Sequence, residues 1–331
     1  MEILVLNAEK MAEVIDIKEV IEANKLALKA YSEGKANIPL RTNLDISKYN
    51  GQSLYMPGYL ADEGALGVKI VSVYPDNIKK GMTSVPSLML LVDDKTGFPI
   101  SMMDGTYLTQ LRTGAISGAA TDILAKKDSK VFTLIGAGGQ AELQLEAVLA
   151  IRDLEKVYIF DINEDNRKKF VNEMNEKYSK KYNVVIEECI SLENSIKESD
   201  IITSVTTARN ATFNGDWVQE GAHVNGVGSY TPDMAEIDSK LILKADKIYC
   251  DTKDALVESG DFVQMIEKNI FDISQVNGEL GEVISKKIIG RENDNEITFF
   301  ETTGNAVLDI MVAKRIYDFA VKKNFGNIIN M

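Results

Sequence analysis

Histidine and cysteine are nearly missing from this chain of 331 residues: His223 stands alone, and only Cys189 and Cys250 represent the thiols. So few imidazoles and thiols exclude the usual zinc sites, because neither cysteine lies in a CxxC or CxxH spacing. They also exclude a disulfide framework and fit a reducing compartment, so a cytoplasmic location is expected. His223 precedes the apolar stretch Val224–Gly228 and reads as a hydrogen-bonded structural residue. Long hydrophobic runs are absent as well. None approaches the about eighteen residues of a membrane span, and the start Met1–Lys10 lacks the basic-then-apolar pattern of a secretory signal. Positive charge is in deficit, with 37 Lys and Arg against 50 Asp and Glu and a formal net charge of −13. That balance argues against nucleic acid or an anionic membrane as partner and is read as serving solubility. Repeats and low-complexity segments are not visible.

The composition that remains is that of a soluble globular protein, 45% hydrophobic and 26% charged. The length exceeds one typical core, so two domains are expected. Residues 17–33 place apolar side chains at helical spacing and stop at Gly34. Strands are expected at Ser53–Met56, Ala65–Val73, Ser87–Val92 and Pro99–Met103. The last two flank a hairpin loop, Asp93–Gly97. A long small-residue helix is expected from Leu111 to Lys126. Beyond it apolar strands alternate with helices: Val131–Ile135, Val157–Phe160, Val184–Glu187, Ile201–Val205, His223–Val227, Ile248–Asp251 and Ile297–Glu301. Such alternation predicts a parallel, doubly wound sheet. The amphipathic segment Ala306–Lys323 is expected to return to the first domain. The fold class is thus α/β. A Rossmann domain over residues 113–309 is inserted into an α+β domain formed by 1–112 and 310–331.

The most informative stretch is Gly136-x-Gly138-x-x-Ala141, which follows an apolar strand and opens a helix. A second strand then ends in Asp161, 25 residues past Gly136. Gly136 permits the tight turn, Gly138 admits the pyrophosphate to the backbone, and Ala141 allows helix and strand to pack closely. The helix N-terminus favours the phosphates, and the Asp161 carboxylate accepts from the adenosine ribose hydroxyls. This order predicts binding of NAD, with NADP as the alternative. Arg167, Lys168 and Lys169 follow closely and are read as a solvated helix face.

Three cations in the first domain attract notice. Lys69 lies on a strand apolar on both faces. It is either buried, and then needs an anion, or reaches solvent at a strand end. Arg112 is placed at the start of the small-residue helix, where it either helps bind an anion or closes a first-turn salt bridge. Arg41 follows Ile38-Pro39-Leu40. Together they suggest capture of a carboxylate, which the planar guanidinium fork suits.

At these residues the chain resembles the ornithine cyclodeaminase/mu-crystallin family. The matching stretches are Met56–Gly58, Gly67–Lys69, Thr96–Pro99, Met103–Thr106, Leu111–Ala115, Gly136–Ala141, Asp200–Thr206, Val224–Gly228 and Gly278–Gly281. The resemblance implies a homodimer built on the first domain, a Rossmann domain binding NAD or NADP, and a small amino-acid or imino-acid substrate. It implies that Arg41, Lys69 and Arg112 hold the substrate carboxylate, with Lys69 and Arg112 at the centre of the chemistry. Thr302 and Thr303 fall where the family's loop meets substrate. Arg112, Thr113, Gly136, Gly138, Gly139, Gln140, Ala141, Asp161, Thr206, Val227, Gly228 and Ser229 are the corresponding cofactor positions. No metal is implied.

One departure bears on the reaction. Cyclodeaminases of the family carry an aspartate two residues before the proline that follows the Val-Gly strand, and here Tyr230 precedes Pro232. The lysine that follows in the family is replaced by Met234. The expected function is therefore reduction of a ketimine or imino acid with a nicotinamide cofactor, or oxidation of the matching L-amino acid. The alternatives are conversion of L-ornithine to L-proline and ammonia, and a non-catalytic small-ligand-binding protein like mu-crystallin.

Overall fold

The computed structural model describes all 331 residues, which divide into two compact units: residues 1–112 with 305–331, and residues 113–304. The first unit takes the chain back at Asn305 rather than at 310. Asn305 caps the C-terminal helix, its side chain accepting from the Val307 N–H at 3.0 Å, so the first turn of that helix belongs to the same unit.

In the first unit, strands β1 (Glu2–Leu6), β2 (Ala36–Asn37), β3 (Thr42–Ile46), β4 (Gly51–Leu60), β5 (Ala65–Val73), β6 (Ser87–Val92) and β7 (Pro99–Asp104) form one sheet with the C-terminal strand Asn327–Asn330. Their order is C-terminal strand, β1, β7, β6, β5, β4, β2, with β3 paired to β4. All pairings are antiparallel except β1 with β7. The hairpin expected between β6 and β7 is present, and Gly97 takes its left-handed position with φ of 75°.

Along β5, Ala65, Gly67, Lys69 and Val71 alternate onto the buried face. The C-terminal helix Ala306–Lys322 packs against β4, β5, β6 and the helix Ile17–Ser32. Glycine at position 58 leaves room for two isoleucine side chains on this face. A β-carbon there would come within 2.6 Å of the Ile310 and Ile38 methyls.

In the second unit, strands β8 (Val131–Ile135), β9 (Lys156–Phe160), β10 (Val185–Glu188), β11 (Ile201–Ser204), β12 (His223–Gly226), β13 (Lys247–Cys250), β14 (Gly278–Glu279) and β15 (Thr298–Glu301) form a wholly parallel sheet. The order is β10-β9-β8-β11-β12-β15-β13-β14. The chain moves outward from β8 to β10 on one side and resumes beside β8 on the other, which is the strand-order reversal of the doubly wound fold. Two apolar clusters cover its faces, one around Phe132, Leu134 and Val157, the other around Ile202, Val224 and Phe299. Burial on both faces explains why these strands read as near-continuous apolar runs. No helix is long and apolar enough to cross a membrane.

The small-residue helix differs from its expected start. It spans Gly105–Leu124, because Asp104 caps it by accepting from the Tyr107 N–H at 2.9 Å. Residues 111–120 are buried without a break, so the helix is enclosed on all sides. Its Gly114 is required by contact with the helix Ala141–Ile151, since a β-carbon would meet the Leu143 carbonyl at 2.3 Å.

Candidate active site

The first unit gathers its three cations. Lys69 is 2% exposed, which settles its two sequence readings in favour of burial. The anion it requires is Asp309, from the buried face of the C-terminal helix. The ammonium donates to Asp309 Oδ2 at 2.5 Å, while Arg112 Nε donates to Asp309 Oδ1 at 3.0 Å. Arg112 therefore does not sit at a helix start, as expected from sequence. It lies two turns into the helix, where backbone N–H groups are already used, and its partner is a side chain rather than a helix terminus. Arg41 is half-buried and close enough to act on Lys69 through its charge.

Burial brings the Lys69 ammonium down to about 8; Asp309 opposes that fall, while Arg112 and Arg41 add to it. Asp309 went unnoticed in the sequence. Its signal was a lone carboxylate inside Val307-Leu308-Asp309-Ile310-Met311, where an amphipathic surface helix would carry another apolar residue.

In the second unit the glycine loop lies at the strand-order reversal. Gly136 has φ of 104°, and a β-carbon there would approach the Val205 carbonyl to 2.5 Å, so only glycine fits. Gly138 faces open space, with nothing within 4 Å of where a β-carbon would stand. That bare backbone, ahead of the helix beginning at Ala141, is the cradle a pyrophosphate requires. Gly139 and Gln140 complete the turn, and the Gln140 side-chain oxygen is buried without a partner. Asp161 follows β9 and is fixed by backbone donors: Oδ2 accepts from Ala137 N–H and Oδ1 from Asn163 N–H, both at 2.8 Å. These residues fit a dinucleotide.

Thr206 follows β11, while Val227, Gly228 and Ser229 follow β12, on the side of β8 opposite Asp161. Thr302 is buried and donates to Asp251 Oδ2, whereas the Thr303 hydroxyl is buried without a partner. Thr113 is nearly buried, and its carbonyl accepts from the Gln144 amide at 3.0 Å. Tyr230 is 44% exposed. His223 is enclosed between Thr298 and Asn225, and burial drives its pKa down to about 3, leaving it neutral.

The family model for the ornithine cyclodeaminase/mu-crystallin family matches residues 1–324. The chain belongs to that family. The Δ1-pyrroline-2-carboxylate reductase of Bacillus cereus is 38% identical over 327 residues, covering 98% of this chain and 99% of the relative. Among solved structures, Δ1-pyrroline-2-carboxylate reductase of Thermococcus litoralis, in complex with NADH and L-proline, superposes with a TM-score of 0.92. It is 43% identical and covers 99% of this chain and 100% of its own. An archaeal alanine dehydrogenase dimer with bound NAD has a TM-score of 0.91 at 36% identity, with both chains fully covered. Family membership and the glycine-loop geometry agree, so the chain is an NAD(P)-dependent oxidoreductase.

From the acids and bases around Asp161 we expect a preference for NADH over NADPH. Arg167, the nearest cation, is committed: its Nε donates to Glu188 at 3.0 Å and its NH1 to the Asp161 carbonyl at 3.2 Å. Lys168 and Lys169 pair with Glu164 and Glu173 one turn away on their own helix. A 2′-phosphate would therefore meet a carboxylate and no uncommitted cation. We expect the dissociation constant for NADPH to exceed that for NADH by at least about tenfold. Titration of both nucleotides at one ionic strength checks this, and tighter NADPH binding would overturn the role of Asp161.

Proposed function

We propose that the protein reduces a preformed ketimine carboxylate of the cyclic, pyrroline-2-carboxylate type to the matching L-amino acid, with NADH as reductant. The observation that carries this reading is the charge balance of the buried cluster. Two buried cations, Lys69 and Arg112, share one carboxylate, Asp309, and Arg41 acts on Lys69 through its charge. The surplus positive charge suits a small carboxylate anion, and Asp309 holds two of the cations in fixed directions to receive it. The names of the two reductases and the L-proline bound in one of them support the same class.

The chemistry asks little else of the chain. NADH, when bound, supplies the hydride for the C=N carbon. The arginines bind and orient the substrate carboxylate. Lys69, with its proton held near neutrality, neutralises that carboxylate and is the nearest stored proton for the nitrogen as it becomes an amine. Most of the acceleration then comes from positioning. Assembly as a homodimer is part of this reading. It is supported by the dimeric alanine dehydrogenase relative and by Tyr55, Ile70 and Leu88, which lie in register on the outer sheet face with Tyr55 and Leu88 exposed. A cytoplasmic location is supported by two unpaired, buried cysteines.

The deciding experiment follows NADH absorbance with pyrroline-2-carboxylate and piperideine-2-carboxylate. Steady oxidation with formation of proline or pipecolate is expected. Saturable binding of these imines with no NADH consumed would replace the enzyme with a ligand-binding protein.

A further inference from the structure

The second unit buries a carboxylate that the proposed reaction does not use. Glu236 is fully enclosed, lies in no ion pair, and meets three donors. Its Oε1 accepts from Thr206 N–H at 2.5 Å and from Ser204 Oγ at 2.9 Å, and its Oε2 accepts from Gly228 N–H at 2.5 Å. These donors come from two different chain segments, the exits of β11 and β12. The segments also touch directly, because a β-carbon at Gly228 would stand 2.1 Å from the Thr206 carbonyl and 2.5 Å from Glu236 Oε2. Asp261 holds Glu236 itself in place, its Oδ1 accepting from the N–H groups of Glu236 and Ile237 at 2.8 and 2.9 Å.

The location gives this bridge its meaning. Asp161, at the end of β9, marks the adenosine side of the glycine loop, and β11 and β12 lie on the other side of β8. An extended dinucleotide bound across the reversal must place its nicotinamide half over the exits of β11 and β12. We propose that Glu236 is a positioning residue for that half of the cofactor, tying the β11 and β12 exit loops into one rigid platform. The proposal rests on dinucleotide binding alone and holds whichever imine is reduced.

Two further carboxylates lie behind it. Glu301 Oε2 and Asp261 Oδ2 are buried and have no partner. Burial pushes both upward, with the charge of Glu236 adding to the rise at Asp261 and that of Asp261 adding to it at Glu301, so that Asp261 goes to about 7 and Glu301 well above the carboxylate range. Burial also raises Glu236, against the opposing hydrogen bonds from Thr206, Ser204 and Gly228.

Glu236→Gln preserves shape but turns one acceptor arm into a donor facing donors. Ser204→Ala removes a single donor and leaves the carboxylate in place. NADH binding is read without imine, from quenching of the sole tryptophan, Trp217, and melting curves accompany it. We expect NADH affinity to weaken about ten- to hundredfold in Glu236→Gln and severalfold in Ser204→Ala. In both, the KM for imine should stay within a few-fold of wild type, because the carboxylate-binding cations are untouched. If Glu236→Gln does not fold, the Ser204→Ala result decides. Unchanged NADH affinity in the folded variants would overturn the proposal, as would a parallel loss in every kinetic parameter. Absence of NADH binding by the wild-type chain would overturn both this proposal and the cofactor assignment.

Discussion

Lys69→Ala and Arg112→Ala each lower kcat/KM for the imine by about tens to thousands of fold, the range for removing one partner of a buried charge pair. The loss has two sources. The substrate carboxylate forfeits a cation, and Asp309 keeps its charge with only one of its two partners. NADH affinity of Lys69→Ala remains near wild type, because the Rossmann unit is untouched, and tryptophan quenching provides the control. Retention of near wild-type turnover by both variants would remove the carboxylate clamp from consideration.

The same cluster sets a pH dependence. Lys69 is charged below about 8, so kcat/KM is expected to hold through neutrality and fall on the alkaline side of that value. Asp309→Asn deletes the carboxylate that raises the proton affinity of Lys69, while Arg112 and Arg41 continue to lower it. The alkaline limb should therefore move to lower pH. A change in overall stability alone would scale the profile without moving it.

Ornithine provides the second large contrast. The unmodified enzyme should reduce a cyclic ketimine yet release little or no ammonia from L-ornithine with catalytic NAD. Ring closure needs the δ-amine neutral and aimed at the imine carbon, which a carboxylate at position 230 would accomplish. Tyr230 supplies a phenol with a reference pKa of about 10, a poor base near neutrality. Reduction asks only for an electrophilic C=N, an anchored carboxylate and the hydride. Brisk proline formation from ornithine would refute the reductase reading. Appearance of that activity in Tyr230→Asp would support it, and a Met234→Lys background would supply the second family residue.

Much of this architecture was legible because its causes are local. The parallel sheet announces itself in short apolar runs separated by helices, and the glycine loop in three small residues within six positions. The first strand, Glu2–Leu6, was not recognised, since Ile3-Leu4-Val5-Leu6 alone fits either a strand or a helix turn. The helix start at Asp104 was hidden by Gly105, which discourages a helix on propensity alone but is tolerated next to a good cap.

The candidate site divides in the same way. Arg41, Lys69 and Arg112 stood out as cations in apolar surroundings, but their common neighbour did not. Asp309 is 240 residues from Lys69 and 197 from Arg112, and only the packing of a helix onto a sheet joins them. Glu236 was equally silent, because a carboxylate serving backbone donors looks no different in sequence from one facing water.

That separation along the chain has a consequence for biosynthesis. A ribosome completes β5 and the helix bearing Arg112 long before it reaches Asp309, and the entire Rossmann unit is made in between. Domains fold as units during synthesis, so the second unit can be finished while the first still lacks its last helix. Throughout that interval Lys69 and Arg112 have no counter-ion, and burying either would cost far more than leaving it in water. Closure of the first sheet over its cations is thus deferred until the C-terminal helix arrives. The enzyme acquires the means to hold its reductant before it acquires the means to hold its substrate.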